Sequence, residues 1–247
     1  VRVYKGVAKY TENFVPASTT PDVLPDTPSG ITGKTNLTKI TDGAVAFDGT
    51  GDYLSVANSA DFNFGTGDFT IETFAYINNV PNGPIVNNID NGGFSTGGFS
   101  INEDGNIFVA TSGGTYALWG NVTYPSGKWF HIAMTRSGTT GRVFIDGVLQ
   151  LSVTNSTDIG TSGTNDLHIG ARRGGSSGVG SFTYYLNGFI SNLLIIKGTA
   201  LYTSDFTPSA APLTNVTNTN LLCCQSPTNV RLSSVAPTVG TTANTRF

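Results

Sequence analysis

Sulfur, charge and titratable chemistry are all scarce in this chain. Its 247 residues hold two cysteines, one methionine and two histidines, and only 12% are Asp, Glu, Lys or Arg. The two cysteines are adjacent, Cys223-Cys224. Neighbouring Cα atoms lie ~3.8 Å apart, below the ~4.4–6.8 Å that disulfides favour, so no disulfide framework braces the fold. Both thiols read as small buried hydrophobes, and the core must hold the domain unaided, as it can at this length. No run approaches the ~20 apolar residues of a membrane span, which excludes membrane insertion by a helix. A net charge of −3 and a pI near 5.2 leave no basic stripe for nucleic acid. A metal-binding His pair, a nucleophile elbow and a phosphate loop are all missing. So is any stretch of helical period with a cap and a Gly stop. The chain begins at Val1, without an initiator Met or a signal peptide, and reads as a processed product or an excerpt.

What is present is glycine, with 31 residues, and short Val/Ile/Phe/Tyr runs separated by Gly, Asn and Asp clusters. That is the pattern of many strands joined by turns, an all-β chain. Residues 68–77 form a long strand apolar on both faces and hence central. From Lys128 to Arg136, Phe130, Ile132 and Met134 alternate with His131, Ala133 and Thr135, one core-facing side. Asp146-Gly147 joins 142–145 to 148–151 in a two-residue hairpin of type I′. This places Phe144 opposite Leu149, and both are expected between the sheets with Phe130, Ile132 and Met134. Pro16, Pro21, Pro25 and Pro28 mark 17–40 as an extended linker. The polar stretch 227–247 reads as a tail or a further linker.

The chain also repeats itself. Residues 3–16 (VYKGVAKYTENFVP) recur as 195–208 (IIKGTALYTSDFTP) at a constant offset of 192. Solenoid repeats run to ~20–50 residues, so a period this long points to whole domains in tandem or to one duplicated end piece. Residues 1–16 are therefore expected to be the closing strand of a preceding module. Their contacts would run through Val1, Val3, Tyr4, Tyr10 and Phe14, seated in an upstream sandwich or in a neighbouring copy by strand addition. The latter contact is head-to-tail, and such contacts propagate into filaments.

Four segments in order, 43–56 (GAVAFDGTGDYLSV), 64–77 (FGTGDFTIETFAYI), 127–150 (GKWFHIAMTRSGTTGRVFIDGVLQ) and 188–208 (GFISNLLIIKGTALYTSDFTP), resemble the laminin-G-like members of the concanavalin A-like superfamily. The resemblance implies a jelly-roll sandwich of two antiparallel sheets over 41–226. The ending KGTALYTSDFTP with NTNLLCCQS also resembles modules found in series in structural proteins of marine tailed bacteriophages, which implies an extracellular virion fibre or surface protein. The superfamily includes glucanases, whose site resembles Glu-x-Asp-x-x-Glu on one strand, because retaining hydrolysis needs two carboxylates ~5–5.5 Å apart. The three glutamates here, Glu12, Glu72 and Glu103, have no such spacing, so the expectation is no enzyme. Glu72 reads as structural or at the rim, Glu103-Asp104 as a solvated turn, and His131 and His168 as packed strand residues.

Binding is the chemistry that remains. Many laminin-G-like domains hold calcium on the rim, and Asp48, Asp52, Asp61 and Asp68 lie at turns that could offer hard oxygen ligands. The same residues also suit plain Asp turns, so the cofactor is left open with calcium as the candidate. For a glycan, Tyr116, Trp119 and Tyr124 supply aromatic rings with polar handles, Trp119 fitting a core equally well. Arg172 and Arg173 begin a flexible Gly/Ser tip suited to an anionic sugar or simply to solvent. Sequons at Asn36, Asn121, Asn155 and Asn215 are what a chain rich in Asn and Thr contains by chance. Two readings follow: a structural and adhesive bead of an extracellular phage or bacterial surface fibre, whose partners are further copies or tandem modules, and a lectin-like domain recognising a glycan.

Overall fold

A computed structural model describes residues 43–78, 83–89, 96–112, 116–125, 127–159, 166–173, 182–229, 233–235 and 239–241. The expectations for 1–16 and 17–40 lie outside the described residues.

The regular structure of the described residues is almost entirely strand. In order it forms β1 (Val45–Asp48), β2 (Leu54–Val56), β3 (Phe69–Ile77), β4 (Pro84–Asn87), β5 (Thr96–Asn102) and β6 (Asn106–Ser112). There follow β7 (Tyr116–Asn121), β8 (Trp129–Ser137), β9 (Thr140–Ile145), β10 (Val148–Thr154), β11 (Leu167–Ile169) and β12 (Ala171–Arg173). The last five are β13 (Phe182–Tyr185), β14 (Asn187–Lys197), β15 (Thr219–Cys223), β16 (Ser233–Val235) and β17 (Val239–Thr241). One 3₁₀ turn, Ala60–Phe62, is capped by Ser59, whose side chain accepts from the Asp61 amide.

Two antiparallel sheets make the sandwich, as the sequence pattern predicts. The eight-stranded sheet runs β10-β9-β8-β3-β14-β15-β16, with β1 also paired to β14. The seven-stranded sheet runs β17-β2-β11-β4-β5-β6-β7, and β12-β13 form a separate hairpin. β1 and β15 share one edge of β14, parted at Asn192, whose left-handed backbone (φ 56) breaks the ladder. The stretch read as a tail or linker supplies β16, which extends one sheet, and β17, which extends the other and buries Val239 completely.

Alternation decides what faces inward. Phe69, Ile71, Ala75 and Ile77 of β3 enter the common core with Phe130, Ile132 and Met134 of β8. Cross-strand pairing sets Met134 against Val143 and Ile132 against Ile145, so these two fill the core from β9. Phe144 therefore points the other way. The Phe144–Leu149 pair and the Asp146-Gly147 turn (φ 51 and 79) form as expected. The pair, however, lies on the outer face rather than between the sheets. Leu149 is 38% exposed, whereas Phe144 is buried beneath Tyr202 and Phe206. The physical reason is the period of two: one residue along a strand reverses the face.

The cover over Phe144 comes from the repeated motif. After β14 the chain leaves the sheet and crosses its outer face as an irregular strap over 198–208. The repeated motif at 195–208 is thus strand only to Lys197. Thr70 accepts from the Leu201 amide and donates to Thr199 O, Thr135 donates to Tyr202 O, and Phe206 donates to Gly147 O. Gly147 is required twice, for its positive φ and because a Cβ there would collide with the Phe206 carbonyl.

Candidate functional site

A polar row crosses four strands, β2, β11, β4 and β5, on the outer side of the seven-stranded sheet and ends at Phe108 of β6. Leu54, Val56, Leu167, Ile169, Phe99 and Ile101 enter the core, which sends their strand neighbours outward. Register aligns Ser55 with His168, His168 with Asn87, Asn87 with Ser100, and Ser100 with Phe108. One position on, Asn102 accepts from the Ser100 hydroxyl at 2.6 Å. His168, Asn87, Ser100 and Asn102 are all buried.

Aromatic and cationic groups border this row. Phe182 stacks on Tyr53 at 4.1 Å and meets His168 edge-on at 4.8 Å. The β12-β13 hairpin clamps both arginines on rings, Arg172 4.3 Å from the centre of Tyr184 and Arg173 5.2 Å from that of Phe182. Such stacking fixes a guanidinium's plane and leaves its N–H edges to other partners. Burial and the nearby Arg173 charge hold His168 down at about 4, so it is neutral at physiological pH.

Glu103, at the end of β5, departs from the solvated turn expected for it. Asp104 is exposed, but Glu103 is only 2% exposed, and among the described residues neither carboxyl oxygen has a hydrogen-bond partner of proper geometry. Burial pushes its pKa up to about 9, with the neighbouring Gly83 amide and the Arg172 charge opposing the shift only in part. At neutral pH the group is a protonated acid, able to donate as well as accept. The Arg172 Nε is likewise buried without a partner. Native structures leave few such groups open, and their occurrence beside aromatic rings makes this the candidate site.

The structure sorts the expected ligand residues. Arg172 and Arg173 belong to this region. Tyr124 adjoins it, its hydroxyl donating to Asn102 O at 2.7 Å, but its ring is stacked on Phe130 and offers no free platform. Trp119 is a core residue, 6.2 Å from Phe69 and seated over Gly141, where a Cβ would meet its ring at 2.4 Å. Tyr116 lies in β7, its side chain outside the described residues, as are Val1, Val3, Tyr4, Tyr10 and Phe14. The members not foreseen are Glu103, Tyr53, Phe182 and Tyr184. The alternation in FTYY beside two arginines is the one local signal for Phe182 and Tyr184.

The aspartates do not fit a calcium site. Among the described residues no group of three or more acidic, His or Cys side chains gathers. Asp48 accepts from the Thr50 amide, Asp61 from Ser59 and Asn220, and Asp68 from the Gly138 amide. Asp52 accepts from the Asp48 amide. Each stabilises a turn or a cap, and no metal-dependent step follows from them.

On the opposite face, Glu72 is a closed site. His131 Nε2 and the Tyr202 hydroxyl both donate to its Oε2 at 2.9 Å, so Glu72 and His131 lie under the strap that carries Tyr202. Burial and then the Glu72 charge raise the Tyr202 pKa, keeping the phenol protonated. Glu72 and Glu103 thus stand in different sheets of the sandwich.

A laminin-G family model, described as the concanavalin A-like lectin/glucanases superfamily, matches residues 48–201. The chain belongs to this superfamily. No curated protein matches the sequence. Among solved structures, a heptameric SAP-like pentraxin from Limulus polyphemus is 16% identical with a TM-score of 0.45, over 67% of this chain and 80% of its own. Domains LG4-5 of the mouse laminin alpha1 chain are 15% identical with a TM-score of 0.44, over 71% of this chain and 49% of theirs. Domain 4 of an extracellular arabinanase from Geobacillus stearothermophilus, in complex with arabinotriose, is 15% identical with a TM-score of 0.43, over 59% of this chain and 66% of its own. As a superfamily member the chain is a sandwich of the lectin type. Among its described residues no helix is long and apolar enough to cross a membrane.

Proposed function

We propose that this superfamily domain is an extracellular, non-enzymatic binding module that takes a glycan beside the β12-β13 hairpin, where Arg172, Tyr184 and Glu103 gather. The observation that carries the reading is the buried carboxyl of Glu103, which has no well-formed hydrogen bond among the described residues and feels the charge of Arg172, whose Nε is open in the same way. A polyhydroxylated ligand both donates and accepts, so it satisfies a neutral acid and a guanidinium edge together. Aromatic rings suit the apolar face of a sugar. Placement of Glu72 and Glu103 in separate sheets supports the absence of hydrolysis, which needs two carboxylates across one bond. A panel of neutral and anionic glycans is to be presented to the full chain. Arg172→Ala and Tyr184→Ala should each weaken a retained glycan at least ten-fold with little change in melting temperature. Failure of the parent chain to retain any glycan, or indifference to both substitutions, would overturn the site. Release of reducing sugar from β-glucans, lost on Glu72→Gln or Glu103→Gln, would overturn the non-enzymatic reading.

A second reading, a bead of a repeating fibre on a virion or a bacterial surface with other copies as partners, is favoured by the recurrence of 3–16 as 195–208. Electron microscopy of the native assembly tests it. Regularly spaced beads support the fibre, and isolated particles count against it.

A further inference from the structure

We infer that residues 5–16 are a second strap, built to fill a seat like that of Glu72, His131 and Gly147 on another sandwich of this type. The basis is the way the two copies differ. Lys5–Pro16 and Lys197–Pro208 share seven of twelve residues and differ at Thr199, Leu201, Ser204, Asp205 and Thr207. Of these five positions, 201, 204, 205 and 207 are exposed. The residues that meet the sheet are retained. Tyr202, which caps Glu72, recurs as Tyr10, and Phe206, stacked on it at 3.5 Å and against Phe144 at 5.4 Å, recurs as Phe14. Pro208, which lies against Gly147, recurs as Pro16.

The other contacts are ones the second copy can make. Thr70, Thr135 and Gly147 hold the strap through its backbone, at Thr199 O, Leu201 N, Tyr202 O and Phe206 N. Any residue supplies those groups. The Asp205 carboxylate accepts from the Leu149 amide, and the side-chain carbonyl of Asn13 is an equivalent acceptor. One bond has no counterpart, the Asn218 amide to the Thr199 hydroxyl, because Val7 stands at that position. Four of the five diverged positions are exposed, while the tyrosine, phenylalanine and proline that pack on the sheet are retained, as a segment built for the same surface requires. In this domain that surface is filled by 198–208, so the second strap belongs on another copy of the fold.

The decisive variant is the full chain with Thr199→Val, Leu201→Lys, Ser204→Glu, Asp205→Asn and Thr207→Val, which writes the second strap into the first one's place. It should melt within about 3 °C of the parent, whereas Tyr202→Ala/Phe206→Ala should melt more than about 8 °C lower. A rewritten chain that melts as low as the double-alanine chain overturns the inference. A labelled peptide of residues 1–16 gives a second readout. The receptor is the full chain with Tyr10, Phe14, Tyr202 and Phe206 all changed to Ala, so that neither of its own straps can compete. It should bind this peptide at least ten-fold more tightly than a peptide carrying Tyr10→Ala and Phe14→Ala. Equal binding of the two peptides overturns the inference. If the receptor fails to fold, the rewritten chain alone decides.

Discussion

Glu72 and Glu103 are almost equally hidden from water, at 1% and 2% exposure, yet their surroundings differ in one respect. Glu72 receives a histidine and a tyrosine on one oxygen and lies beneath a strap held by backbone hydrogen bonds. Glu103 has no well-formed hydrogen bond among the described residues and keeps its proton instead. The same contrast separates two arginines. Arg136 is fully buried and spends its guanidinium on the carbonyls of Gly65, Gly67 and Thr157, whereas the Nε of Arg172 is left open. A buried polar group that is fully bonded organises the fold. One that is not bonded costs free energy, and a ligand can recover that cost. By this test Glu72 and Arg136 are architecture, although His131 Nδ1 beneath the strap also lacks a partner among the described residues, and the hairpin end of the other sheet, where both oxygens of Glu103 and the Arg172 Nε stand open, is the place to look for a ligand.

The comparison can be broken at several points. The largest effect should come from the strap face: Phe144→Ala should cost about 3–5 kcal/mol in urea unfolding, against within ~0.5 kcal/mol for exposed Leu149→Ala. Equal costs for the two would mean that the strap does not cover Phe144. Glu72→Ala should cost about 3 kcal/mol, because His131 and Tyr202 both lose their acceptor. A neutral result there would remove Glu72 from the architecture.

Glu103→Gln should have the opposite sign, stabilising the fold by ~1–3 kcal/mol at pH 8, since an unpartnered buried acid is a liability that the amide reduces. The pH dependence follows from the shift. The folded protein keeps the proton up to about 9 while the unfolded chain loses it above the ordinary 4.5. Stability should therefore fall as pH rises across that window, and the slope should vanish in the variant. His168 works the other way. Its folded value near 4 lies below the ordinary 6.5, so stability should fall as pH drops through that interval, and an NMR titration should find its midpoint near 4. The smallest effect expected is Tyr202→Phe, about 1 kcal/mol for one hydrogen bond to Glu72.

Much of the fold is legible in the chain. Period-two alternation marks β8 and β9, and Asp146-Gly147 announces its turn, because strand faces and positive-φ turns are properties of short segments. The strap is not legible in this way. The motif at 197–208 is visible as a repeat, but only the bonds from Thr70, Thr135 and Gly147 reveal that it leaves the sheet after Lys197 and lies across it. The outward turn of Phe144 is hidden in the sequence for the same reason: a strand flanked by two covers is apolar on both faces, and alternation cannot say which side is the core.

The candidate site divides along the same line. Arg172 and Arg173 stand out as a basic pair in a Gly/Ser-rich stretch, and composition alone excludes a disulfide framework, a basic nucleic-acid surface and a helical membrane span. Glu103 looks like any acidic turn residue. Its surroundings arise where the end of β5 meets Gly83 ahead of β4 and comes within the field of Arg172 on β12, a strand far along the chain that only folding brings near. Local periodicity thus determined the strands and the class. Desolvation of particular polar groups is a property of the packed molecule, and only the tertiary structure decided that Glu72 would be satisfied and Glu103 left open.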